Sequence, residues 1–129
     1  VKTLLLAAFG WLVPGGTYLL TRRYLSFALF AGAVWSAFAA GVMLHGGAQW
    51  PAATDLAGLD GGTALFFRGG AIAKALAGAP YLLAQALDLA GTFLDGRLHE
   101  PGTTLLAMAG VINALAISTA LEARKAANR

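Results

Sequence analysis

Four long apolar blocks fill most of the chain, and short polar connections separate them. The second block is the most uniform, with no charged residue from Tyr24 to Leu44. A helix rises about 1.5 Å per residue and a bilayer's hydrocarbon core is about 30 Å thick, so roughly 20 apolar residues cross it. The pattern predicts an all-α fold: an integral membrane helical bundle of about four hydrophobic segments in a single domain over 1–129. The expected parts are a helical hairpin over 3–44, a polar loop over 45–70, helices over about 71–93 and 104–121, and a basic tail over 122–129.

Block one runs from about Thr3 to Leu20. Pro14-Gly15-Gly16 interrupts it, because proline removes a backbone donor and glycine loosens the helix. The freed carbonyls need partners inside a membrane, so the break is expected to face another helix. A leucine- and alanine-rich start after Lys2 has the look of a signal peptide. Trp11, Pro14 and Tyr18 extend the apolar stretch, and a second block follows at once, so a retained helix is expected. The turn Thr21-Arg22-Arg23-Tyr24 is short enough to fold blocks one and two into an antiparallel hairpin. Arg22, Arg23 and Tyr24 are expected as interface anchors there, as is Trp50 further on.

Within block two, Ala28, Gly32, Ser36 and Ala40 recur every four residues. Such a stripe lets another helix approach closely, which is how membrane helices pack. The connection from His45 to Gly70 is the longest. A short surface helix is expected over Pro51 to Leu59, starting near Thr54 or Asp55, with a turn at Gly61-Gly62.

Block three differs from the others. Lys74, Gly78, Tyr81, Gln85 and Asp88 fall on one helical face, and Leu76, Leu83 and Leu87 on the opposite one. This third segment is expected to be amphipathic, bent at Pro80, and either crossing, re-entrant or interfacial. Block four carries a second stripe, Gly110, Ala114 and Ser118, with Asn113 beside it. Orientation depends on block three. If all four blocks span, Lys2, Arg68, Lys74 and the tail cations face Arg22, Arg23 and Arg97 across the membrane, which favours cytoplasmic termini. If block three does not cross, the tail joins the side of Arg22.

Composition sharpens this picture. The 129 residues are 58% hydrophobic and 12% charged, with a mean hydropathy of +0.69. A soluble domain is nearer a quarter charged, so lipid is expected to solvate much of this chain. The net charge of +3 comes from basic residues at the ends of apolar blocks, where they anchor helices and meet anionic headgroups. No basic run points to nucleic acid. Cysteine is absent, which excludes disulfides and thiolate metal sites.

Candidate chemistry is sparse. Ionisable groups at membrane depth often mark ion or proton paths, which singles out Lys74 and Asp88. Fourteen residues separate them, or about 21 Å along a helix, so they cannot pair. Snorkelling to the interface with a packing role is the favoured reading. Asn113 is expected to bond across a helix–helix contact. His45 could ligate a haem or chlorin metal, although no second histidine stands at helical spacing. His99, Glu100 and Asp95 lack metal-site spacing. No nucleophile–base–acid grouping, phosphate loop or intramembrane carboxylate pair points to an enzyme.

Pro14-Gly15-Gly16, Tyr18-Leu19 and Arg22-Arg23 resemble the Pro-Gly…Tyr-Leu…Arg core of two-helix membrane hairpin domains in many bacterial proteins. The remainder resembles an uncharacterised family of small bacterial, acidobacterial-type, multi-pass membrane proteins. The matching stretches are Ala77-Gly78-Ala79-Pro80-Tyr81, Glu100-Pro101-Gly102-Thr103 and Ala109-Gly110-Val111-Ile112-Asn113. Two departures are Thr21, where a glycine is usual, and Ser118-Thr119-Ala120-Leu121, where acidic residues are usual. The resemblance implies an architecture and carries over no catalytic residue.

The expected function is that of a non-catalytic accessory subunit of a larger membrane complex, photosynthetic or respiratory, in the bacterial inner membrane. Its partners would be other membrane subunits and lipid, with no metal and no required cofactor. The alternative is a small homo-oligomeric transporter or channel lined by the third helix. A pigment- or haem-binding protein using His45 comes third.

Overall fold

The computed structural model describes residues 1–44, 57–87 and 99–129. His45, Trp50, Asp88, Asp95, Arg97 and most of the expected Pro51–Leu59 helix lie outside them. Among the described residues all regular structure is helical: α1 Lys2–Leu12, α2 Gly16–Leu20, α3 Tyr24–Met43, α4 Gly61–Ala75, α5 Ala79–Ala86 and α6 His99–Ala127. Two helices are long and apolar enough to cross a membrane, α3 and the stretch Pro101–Ala127 of α6.

These two form the centre and run antiparallel. Near one end, a Cβ on Gly41 of α3 would stand 2.8 Å from the Gly102 carbonyl oxygen of α6. Only glycine at this position lets the two backbones come so close. In the middle, Val34 and Phe38 of α3 pack with Leu106 and Ala109 of α6, joined by Ala77 and Ala84. At the other end, Tyr18 packs with Ala116 and Ala120, flanked by Phe27 and Phe30.

The first block is not one continuous helix, and the break expected at Pro14-Gly15-Gly16 is present. Val13 is extended and Gly15 is left-handed (φ 74, ψ 1). The chain turns back so sharply that the Thr17 hydroxyl donates to the Leu6 carbonyl at 3.3 Å. A continuous helix would separate residues 6 and 17 by about 16 Å. Gly10 leaves room for Thr17, since a Cβ there would overlap the Thr17 hydroxyl. The α2–α3 turn then closes with Arg23 N–H donating to Tyr18 O and Arg22 N–H to Leu19 O. That is a Schellman closure, and Arg22 (φ 59) takes the left-handed position usually given to glycine.

The long connection ends earlier than its composition implies. Gly61 and Gly62 open α4 rather than forming a turn, because Asp60 caps the helix and accepts from the Thr63 N–H at 3.0 Å. Block three is not one amphipathic helix either. It breaks at Leu76–Gly78, where Gly78 has φ 73 and ψ −121 and Pro80 sits in the first turn of α5. Block four is longer than expected at both ends. Pro101 is tolerated in its first turn, where a backbone N–H would lack a helical partner anyway. The expected basic tail is helical through Ala127, with Arg124 and Lys125 in the last turn.

Candidate functional site

The two interruptions meet at one residue. Asn113, in the middle of α6, is fully buried. Its Nδ2 donates to the Leu76 carbonyl at 2.9 Å and to the Trp11 carbonyl at 3.2 Å. Its Oδ1 accepts the Gly15 N–H at 3.4 Å. A primary amide suits this position because it carries two donors and an acceptor. Helix breaks leave backbone groups without helical partners, and a low-dielectric interior makes unpaired ones costly.

Trp11 completes the crossing. Its indole N–H donates to the Ala75 carbonyl at 2.9 Å. Its own carbonyl lies against Gly78, where any Cβ would overlap it. Gly110 is as constrained, since a Cβ there would overlap the Ala73 carbonyl and reach the Ala77 nitrogen at 3.2 Å. The ends of α1 and α4 are thus clamped together on α6. Six residues further along α6, the Tyr18 hydroxyl and Thr119 Oγ1 share a hydrogen bond at 2.6 Å. The Tyr18 ring stacks on Phe30 with centroids 5.3 Å apart.

The sequence-derived candidates fall in different places. Of the α3 stripe, Ala28, Gly32 and Ser36 are exposed and Ala40 is half-buried; nothing in the described chain lies within 4 Å of a Cβ on Gly32. The chain's own contacts use the other side, Val34, Phe38 and Gly41. Alanine and glycine occur all round this helix, so small size alone does not mark the inner face. On α6, Gly110 and Asn113 are buried, Ala114 is half-buried and Ser118 is exposed.

The expected polar face is divided by the break at Gly78. Lys74 is buried at the end of α4, Tyr81 is half-buried beside the central core, and Gln85 is exposed. Among the described residues no group of three or more metal-ligating side chains comes together. Arg22, Arg23 and Tyr24 stand exposed at the α2–α3 turn.

Sequence reasoning missed Trp11 and Thr17. Trp11 is three residues ahead of Pro14 in the last turn of α1, where a half-buried indole N–H needs an acceptor. Thr17 follows the glycine pair and bonds back to α1. Polar groups beside a Pro-Gly break are the signal that could have found both.

Neither a curated protein nor a solved structure is similar to the chain beyond chance. A family model described as a family of unknown function (DUF6677) matches residues 5–129. The match takes in both broken helices, both long helices and the Asn113 crossing, and the chain belongs to that family.

Proposed function

We propose that this protein is a non-catalytic integral protein of the bacterial inner membrane, acting as a small accessory subunit of a larger membrane assembly. The outward face of α3 carries this reading. Ala28, Gly32 and Ser36 form a stripe of small side chains on the side of α3 that the chain's own core does not use. Small-residue faces are what membrane helices use to approach one another. In this reading α3 and α6 cross the bilayer and the end bearing Arg22, Arg23, Arg124 and Lys125 faces the cytoplasm, following the positive-inside rule.

The second reading is a small homo-oligomeric transporter or channel. Its motivation is the pair of interrupted helices meeting at mid-depth, an arrangement transporters use to bind ions with freed backbone groups. Here the Trp11, Ala75 and Leu76 carbonyls are already taken by Asn113 and Trp11, which favours a closed structural joint.

Site-specific photo-crosslinking in cells separates the two. A photoreactive residue at Gly32 or Ser36 is expected to capture an unlike membrane chain of defined mass. The same residue at Val111 or Leu115, also exposed, is expected to capture none. Adducts only between copies of this chain would overturn the subunit reading and favour the channel.

A further inference from the structure

An open, almost wholly apolar groove of about 460 Å³ runs between α1 and α6. Leu4, Ala8 and Trp11 line one wall, and Ala114, Ile117 and Leu121 the other. Ser118 is the polar side chain in the lining, and its hydroxyl donates to the Leu115 carbonyl at 3.0 Å. The groove therefore offers its occupant a hydrocarbon surface.

The mouth is different. Residues three and four apart share a helix face, so Arg124 and Lys125 stand one turn beyond Leu121 on the groove side of α6. On α1, Lys2 lies two residues before Leu4. The reversal of the first block adds two more cations. Thr17 is level with Leu6 and Tyr18 with Thr119, so one turn later Arg22 and Arg23 come level with Lys2 and the last turn of α6. Lys2, Arg22, Arg23 and Lys125 are exposed and Arg124 is half-buried. Glu122 is the acidic residue in this stretch of α6.

We propose that this groove binds one anionic phospholipid, with an acyl chain between α1 and α6 and its phosphate among Lys2, Arg124 and Lys125. The apolar walls select a hydrocarbon chain, and the cationic mouth selects a negative headgroup over a zwitterionic one. Had the first block crossed as a single helix, Arg22 and Arg23 would stand at the opposite end, so the reversal is what concentrates the charge. The proposal stands apart from the subunit reading, because the groove lies against α1 and α6 and leaves the α3 stripe free.

The test incorporates the full chain into vesicles of equal phosphatidylglycerol and phosphatidylcholine. Mild detergent extraction and native mass spectrometry then count the lipids retained. One phosphatidylglycerol per chain is the expected result. Each of Lys2→Ala, Arg124→Ala and Lys125→Ala is expected to lower its retention about fivefold. Ala8→Phe fills the groove from an exposed position and is expected to remove the lipid while helicity stays unchanged; Ser118→Phe repeats this from the opposite wall. Equal retention of both lipids, retention unaffected by both filling variants, displacement by excess inorganic phosphate, or no retained lipid would each overturn the proposal.

Discussion

Among the described residues two apolar blocks are interrupted, and the two interruptions are built in opposite order. At the first, Pro14 precedes the left-handed Gly15, and the chain reverses onto α1. At the second, Gly78, with positive φ and an extended ψ of −121, precedes Pro80, which opens a new helix. The first break is partly self-sufficient, since Thr17 bonds back to Leu6 within the same block. The second has local bonds too, from Ala77 N–H to the Lys74 carbonyl and from Gly78 N–H to the Ala75 carbonyl, but it adds two partners from other elements, Trp11 of α1 on the Ala75 carbonyl and Asn113 of α6 on the Leu76 carbonyl. Both breaks combine local bonds with Asn113, and the second draws on Trp11 of α1 as well. The second interruption is therefore the more vulnerable, and Asn113 is where the first supports it.

Substitution of the two glycines sharpens this contrast most. Gly78→Ala is expected to cost at least about 3 kcal/mol, because its backbone conformation is nearly exclusive to glycine and a Cβ overlaps the Trp11 carbonyl. Gly15→Ala is expected to cost about 1–2 kcal/mol, since its conformation is ordinary left-handed α and the nearest atom to a Cβ is 3.2 Å away. Reversible unfolding in mixed micelles measures both. Equal losses would break the comparison.

Asn113→Leu comes next. It keeps the branched skeleton with bulkier methyl groups in place of the amide and removes all three bonds at the crossing, with an expected loss of about 2–4 kcal/mol by the same measurement. A loss below about 0.5 kcal/mol would mean that the breaks do not depend on it. On α3, Gly41→Ala is expected to cost about 1–3 kcal/mol by driving a Cβ into Gly102 and Leu106. Gly32→Ala is expected to stay within about 0.5 kcal/mol in the isolated chain. Equal effects at positions 41 and 32 would show that the inner and outer faces of α3 are wrongly assigned.

The smallest effect is at the start of α4. Bonds from the Thr63 hydroxyl and then its backbone N–H hold the Asp60 carboxyl below the usual carboxylate range. A group whose folded pKa is depressed contributes stability above its unfolded pKa and loses it as pH falls through the folded one. The Thr63 amide resonance is therefore expected to report fraying of the first turn of α4 only in acid, below the ordinary aspartate range. A transition near neutrality would exclude Asp60 as the cap.

Much of this architecture is legible in the residues. The charge-free run from Tyr24 to Leu44 marks α3 almost to its ends, and Pro14-Gly15-Gly16 marks a break. The reversal at that break is not legible, because proline and glycine say that a helix stops and not where the chain goes next. The inner face of α3 is equally hidden. In water, amphipathicity separates a buried face from an exposed one. The helix α3 is apolar on both faces, so Val34 and Phe38 carry no sign that they point inward while Gly32 points out. Block three misleads for a related reason, since a polar face drawn through Lys74, Gly78 and Tyr81 assumes one helix and Gly78 ends it.

The central claim is that the first block turns back at the level of Asn113 rather than crossing. Because the chain has no cysteine, single cysteines can be placed at Lys2, Arg22, Met43 and Lys125 and labelled in intact and opened cells with a membrane-impermeant maleimide. Positions 2, 22 and 125 are expected to label from one side and position 43 from the other. Labelling of positions 2 and 22 from opposite sides would contradict it.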